Sequence, residues 1–252
     1  MLSDKDLLKV LGNELIIYPL NIKNIQGGSV FINSSSLAWS RKTKENIVQK
    51  DKLLIPANDT AIIVSEELLY LSTKYCGTCH ARVLHVASGL GHISTVIKPG
   101  SKGRLLISIH NTTDATVEIS TEGIAVVTFH KLDSKAKRPF TEERSGPSAI
   151  KDLGIELTEE DKNLLESPYC RGLDDLRHVF KSSDNYKEYL TINRKQFLTP
   201  YRAAVIMSVV MAVLLITPFT GIFPEMKPDI STIPICLATI LSGLSGYFFS
   251  KQ

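Results

Sequence analysis

Two stretches near the C-terminal end restrict the fold of this chain more than anything else in it. From Ala203 to Pro224 and from Ile230 to Ser250 no residue is charged, and each run is about 21 residues long and almost wholly apolar. A helix rising ~1.5 Å per residue needs about 20 residues to cross the ~30 Å hydrocarbon layer of a bilayer. The connector between the runs, PEMKPD, is short, polar and bounded by prolines. The pair therefore predicts a transmembrane hairpin over 201–252. Two buried core helices are the alternative, but a helix in a soluble domain normally keeps a polar edge. Arg194, Lys195 and Arg202 precede the first run and Lys251 follows the second, whereas the connector's Lys227 is balanced by Glu225 and Asp229. The positive-inside tendency then puts both termini in the cytoplasm. Ser242 and Gly246 offer a small-residue ridge for close helix approach. Neither run holds a carboxylate or a histidine, so neither predicts a proton relay or pump.

Composition narrows the rest. A formal charge of +3, from 29 Lys+Arg against 26 Asp+Glu, gives no whole-chain nucleic-acid footprint, and no nucleic-acid partner is expected. At 43% hydrophobic and 22% charged, the chain is not a disordered polymer. Four cysteines, at positions 76, 79, 170 and 236, are too sparse for a disulfide framework. The opening MLSDKDLLKV is charged and amphipathic and lacks the apolar core of a secretory signal, so the soluble half is expected in the cytosol.

Residues 1–140 read as mainly β. Ser3-x-x-Asp6 before LLKVL predicts a short capped helix ending near Gly12-Asn13. After it come apolar or alternating runs: ELIIYPL, GSVFIN, KLLIPAN, AIIVS, ARVLHVAS, RLLISIHN, TVEIS and IAVVTFHKL. Turn residues separate them, including Gly27-Gly28, Ala57-Asn58-Asp59, Pro99-Gly100 and Glu122-Gly123. Many short strands without a helical period between them predict a sandwich or barrel-like domain. A charged Pro/Gly linker follows near 134–150. Then Thr158-Glu-Glu-Asp161, RGLDDLRHVFKS and NYKEYLTINRKQFL carry helical capping and spacing, predicting a helical stalk within 141–200.

The order of these blocks resembles the dCTP deaminase/dUTPase family. LSDKDLLKVLGNELIIYPLNIKNIQGGSVFIN looks like that family's N-terminal signature, and NDTAIIVSEELLYLS is similar to its next strand. ARVLHVASGLGHISTVIKPGSKGRLLISIHNTT resembles the central arginine-serine segment and Pro-Gly hairpin, and EGIAVVTFHKL the closing strand. The resemblance implies a dUTPase-like distorted β-barrel or jelly roll, a homotrimer with pockets between subunits, and a nucleotide ligand. It also marks departures. Phe31 stands where the family has an Asp in its first motif. Val83-Leu84 replace the serine pair after the motif arginine, here Arg82. Lys98 replaces the Asp before Pro-Gly, and Ser108 the deaminase general acid/base Glu. Phosphoanhydride hydrolysis needs metal held by carboxylates, and deamination needs a proton shuttle. Phe31, Lys98 and Ser108 supply neither, so no catalytic residue and no cofactor is expected; magnesium enters only if the chain is an enzyme after all.

The remaining cations suit an anion. Arg82, Lys98, Lys102 and Arg104, with Ser108, are the candidate nucleotide-binding residues, set against the alternative that they are ordinary solvent-facing charges. Phe31 and Trp39 are candidates to stack a base, though such aromatics are more often core. Cys76-Gly-Thr-Cys79-His80 matches the c-type haem pattern, but an unexported segment on a strand argues instead for small buried hydrophobes. The expected function is a membrane-anchored, non-catalytic nucleotide sensor coupled to a two-helix effector, in the style of bacterial anti-phage defence, at the inner membrane. A tethered active dCTP deaminase or dUTPase and a ligand-free trimeric scaffold remain alternatives.

Overall fold

A computed structural model of the chain describes residues 1–92, 94–140, 147–165 and 172–191. Both apolar runs fall outside those residues, and no helix among the described residues is long and apolar enough to cross a membrane. Met1–Leu190 form one compact unit.

Helix α1 (Asp4–Val10) starts where the capping pattern predicts. Ser3 Oγ accepts the Asp6 N–H at 3.1 Å and donates to the Asp6 carboxylate at 2.8 Å, while Leu7 turns into the core. The strands follow as β1 (Leu15–Tyr18), β2 (Ile25–Gln26), β3 (Ser29–Ile32), β4 (Ser34–Ser40), β5 (Val48–Gln49), β6 (Lys52–Ile55), β7 (Thr60–Leu71) and β8 (Tyr75–Ala81). After helix α2 (Val83–Ala87) come β9 (Leu90–Gly91), β10 (Thr95–Ile97), β11 (Lys102–Asn111), β12 (Val117–Ser120) and β13 (Ala125–Lys131). One sheet runs β1-β7-β11-β9 with β4 also paired to β7; a second runs β10-β8-β13-β3-β2; a third runs β12-β6-β5. All of these strand pairs are antiparallel. The main core joins Leu7, Ile16, Ile32, Leu53, Ile63 and Phe129 between the sheets. The mainly β expectation is met.

Two local expectations are corrected. ARVLHVAS is not a strand: Arg82 is extended, and Val83–Ala87 form a helical turn and a half. Its β-branched residues favour a strand, but Gly89 at φ +83° closes a helix there, and a Cβ on it would lie 2.4 Å from Thr113 Cγ2. The Pro99-Gly100 turn is not a hairpin. β10 pairs with β8 and β11 with β7, so the turn is a corner where the chain changes sheet. SSSLAWS forms strand β4, whose polar side chains are tied to neighbours: Ser35 Oγ donates to Val64 O at 2.9 Å, and Ser40 Oγ donates to the Asp59 carboxylate.

The helices expected to stand off as a stalk lie on the β sheets instead. They are α3 (Pro147–Asp152), α4 (Glu159–Leu165), α5 (Leu173–Ser182) and a helical stretch over 184–191. The Thr158/Asp161 cap forms in both directions, at 2.9 and 3.2 Å. Ile150, Ile155 and Leu165 cover Leu37, Trp39, Ile62 and Val64, so Trp39 is core and not a base-stacking platform. Leu176 and Phe180 enter the main core; Asn185 Nδ2 donates to Leu20 O at 2.6 Å and Tyr189 OH to Leu8 O at 2.8 Å. The physical reason lies in β7. Its AIIV run is apolar at every position, so Ile62 and Val64 on one face need a cover while Ala61 and Ile63 fill the barrel. The boundary expected at 140 is therefore not a boundary of the compact unit.

Candidate functional site

A cleft of about 320 Å³ opens at the sheet-changing corner between β10 and β11. The corner is closed by backbone bonds: Ser101 N–H to Lys98 O at 3.1 Å, and Gly100 N–H to Leu71 O at 3.0 Å. Around it stand Lys98, Lys102 and Arg104, with Leu69, Val96 and Phe140 among its apolar walls. Among the described residues, no Asp or Glu lines it.

Each cation is held differently. Lys98 is exposed, its Nζ 5.3 Å from the Phe140 ring centroid. Lys102, half-buried, sits opposite Tyr70 on β7. Arg104 stands where the β11–β7 register shifts, between Arg104 and Leu106. There Ser65 Oγ accepts the Leu105 N–H at 2.7 Å and donates to Glu67 O at 2.6 Å, and the Arg104 guanidinium donates to Ser65 O at 2.9 Å and to Glu66 O. Its Nε is buried without a partner.

Arg82 and Ser108 lie outside this cleft. The Arg82 Nη1 donates to Gly123 O at 2.9 Å, and its guanidinium lies 5.3 Å from the Phe31 centroid. The ring standing at the family's acidic position thus serves as Arg82's platform. Asn33 completes that turn, accepting the Gly123 N–H at 2.8 Å. Beside Arg82, Val83, Leu84 and Val86 are all exposed. Ser108 is exposed on β11 opposite Ile62. Three of the five sequence candidates are therefore brought together and two are not.

Two residues escaped sequence reasoning. Phe140 lay in what reads as a charged linker; its only signal is an aromatic after Arg-Pro. Glu67 lay inside an apolar strand. It is 3% exposed, and its carboxylate accepts the Asn33 N–H at 2.9 Å. Burial pushes its pKa up to about 7, with Glu66 adding to the rise, against the Asn33 bond and Arg104.

The haem-like motif is split by its strand. Cys76 and Cys79 are three apart on β8, so they face opposite sides. Cys79 points inward, and burial pushes its thiol up to about 11. Among the described residues no group of three His, Cys, Asp or Glu side chains is placed to hold a metal ion.

By sequence the chain is a distant homologue of a dCTP deaminase. A curated dCTP deaminase from Thermococcus sibiricus is 26% identical over 128 residues, covering 50% of this chain and 82% of the relative. Among solved structures, the 2'-deoxycytidine 5'-triphosphate deaminase from Agrobacterium tumefaciens aligns with a TM-score of 0.42 and 14% identity, over 51% of this chain and 45% of that one. A dUTPase from phage phi11 of S. aureus aligns with a TM-score of 0.36 and 14% identity, over 53% of this chain and 100% of that one. No protein-family model matches the chain.

Proposed function

We propose that the β domain binds a nucleotide in the corner cleft without converting it, and that the C-terminal runs anchor it in a bilayer as a two-span hairpin with both termini cytoplasmic. The observation that carries the reading is the cleft's lining: Lys98, Lys102 and Arg104 with an aromatic ring, and no carboxylate among the described residues. Three cations attract a polyphosphate without metal. Magnesium finds no carboxylate ligand in that lining, and no side chain there is placed to shuttle a proton at neutral pH, so we derive no catalytic step. Distant homology to dCTP deaminase supports a pyrimidine nucleoside triphosphate as the ligand class. We extend the reading to a homotrimer, for which the exposed Val83, Leu84 and Val86 supply apolar contact area. Gathering six spans in such a trimer makes the chain a sensor with a membrane effector, suited to anti-phage defence.

The test is calorimetry on the full chain in detergent with dCTP, dUTP and dTTP, alongside mass-spectrometric assay of the nucleotides. Binding without release of ammonia or pyrophosphate is expected. Lys98→Met with Lys102→Met should weaken affinity at least ~10-fold, since each charge-assisted contact is worth about 1.5–3 kcal/mol. Turnover at enzymatic speed overturns the non-catalytic reading in favour of a tethered enzyme. Absence of binding by all three nucleotides leaves a scaffold. Fragments ending near 150 are unsuitable, because they lack α4 and α5 and expose Trp39, Ile62 and Val64.

A further inference from the structure

One wall of the cleft comes from a segment outside the sheets. After β13 the chain runs from Leu132 to Phe140 as a strap, tied to the domain by its backbone at three points. Leu132 N–H donates to Lys74 O at 2.8 Å, Ala136 N–H to Thr73 O at 2.9 Å, and Phe140 N–H to Pro99 O at 2.8 Å. The last tie is a close fit. Gly100 has φ +86°, and a Cβ on it would lie 2.8 Å from Pro139 Cβ and 3.0 Å from Phe140 O. There the Phe140 ring reaches the cleft and takes the Lys98 ammonium at 5.3 Å.

We propose that Phe140 and a bound nucleoside phosphate compete for Lys98, so that filling the cleft frees the strap's end from the Pro99 corner. This rests on the nucleotide reading above. An ammonium on an exposed aromatic face is held more weakly than one on a phosphate oxygen. A phosphate therefore draws Lys98 off the ring, and Phe140 loses a contact that completes its seat. The strap leads along the chain towards α3, the first of the helices that cover β4 and β7. The strap's end is released to the extent that ligand prefers that state. Because the shared group is the phosphate's partner, inorganic triphosphate alone releases the strap.

The experiment uses the full chain in detergent, with dCTP, dUTP, dTTP and inorganic triphosphate as probes. It reads affinity by calorimetry and amide exchange over 132–140 by mass spectrometry. Binding is expected to speed exchange at Ala136 and Phe140. Phe140→Leu keeps apolar bulk but removes the ring face, and should tighten affinity about two- to fivefold. Gly100→Ala, which wedges the strap away, should speed exchange before any ligand is added. Binding with unchanged exchange and unchanged affinity in Phe140→Leu overturns the strap's role and leaves the nucleotide reading standing. Slower exchange on binding, with weaker affinity in Phe140→Leu, makes the ring a ligand platform and overturns the competition. No binding by any variant overturns the nucleotide reading and the strap with it.

Discussion

Phe180→Ala is expected to lower stability by about 3–5 kcal/mol, the range for truncating a fully buried phenylalanine in a close-packed core. Phe180 has no exposed surface, and its ring packs 4.6 Å from that of Tyr186. Tyr186 in turn closes on Gly12, where a Cβ would lie 2.8 Å from its hydroxyl. For a unit of this size each kcal/mol shifts the melting temperature by about 2–4 °C, so the effect reads as roughly 6–20 °C in a thermal scan. A phenylalanine on a free-standing stalk would give a change within about 0.5 kcal/mol, typical of surface substitutions. The measurement therefore separates a docked helix from a stalk by a wide margin. A shift below ~2 °C would contradict the packing described here.

Glu67→Gln is expected to remove a pH dependence and not merely to shift stability. With its pKa at about 7 in the folded chain against an ordinary value of 4.5, Glu67 holds a proton that the unfolded chain has lost. The folded state is thus favoured by this group below about pH 4.5, and that contribution fades as pH rises through about 7. The separation corresponds to about 3 kcal/mol between the ends of the window. Glutamine keeps an oxygen for the Asn33 N–H but carries no charge. Between pH 5 and 8 the parent chain's unfolding free energy should fall by about 2–3 kcal/mol relative to the glutamine variant's, the slope from the lowered His85 and His92 being common to both. Urea titrations at four pH values across that window check it; parallel curves for the two proteins would rule the assignment out.

Both results concern features that local pattern conceals. The α5 stretch LDDLRHVFKS has an amphipathic spacing that fits any surface helix, and nothing in it names the surface. For α3 and α4 the clue lay more than eighty residues away, in the AIIV run of β7, which has more apolar faces than a barrel strand with one side in water. Glu67 was legible as a carboxylate in an apolar strand, but its burial depends on the Ser65–Glu67 kink, which forms only when Leu105 and Arg104 arrive from β11. Sequence reasoning placed Lys98, Lys102 and Arg104 near one turn, and they do share a cleft. It placed Arg82 and Ser108 with them by resemblance; in the folded chain Arg82 is spent on Gly123 and Phe31.

The sequence by itself determined what short-range physics can encode: the Ser3 cap and α1, the alternation that makes most of the strands, the Thr158 cap, and the order of blocks shared with dCTP deaminases. It also displays the two uncharged runs. Tertiary structure alone decided that Pro99-Gly100 turns a corner between sheets, that α3 and α4 lie on β4 and β7 while α5 enters the main core, and that Phe140 meets Lys98. Those outcomes depend on contacts between residues far apart in the chain, where burial and shape are settled jointly and no local pattern carries the answer.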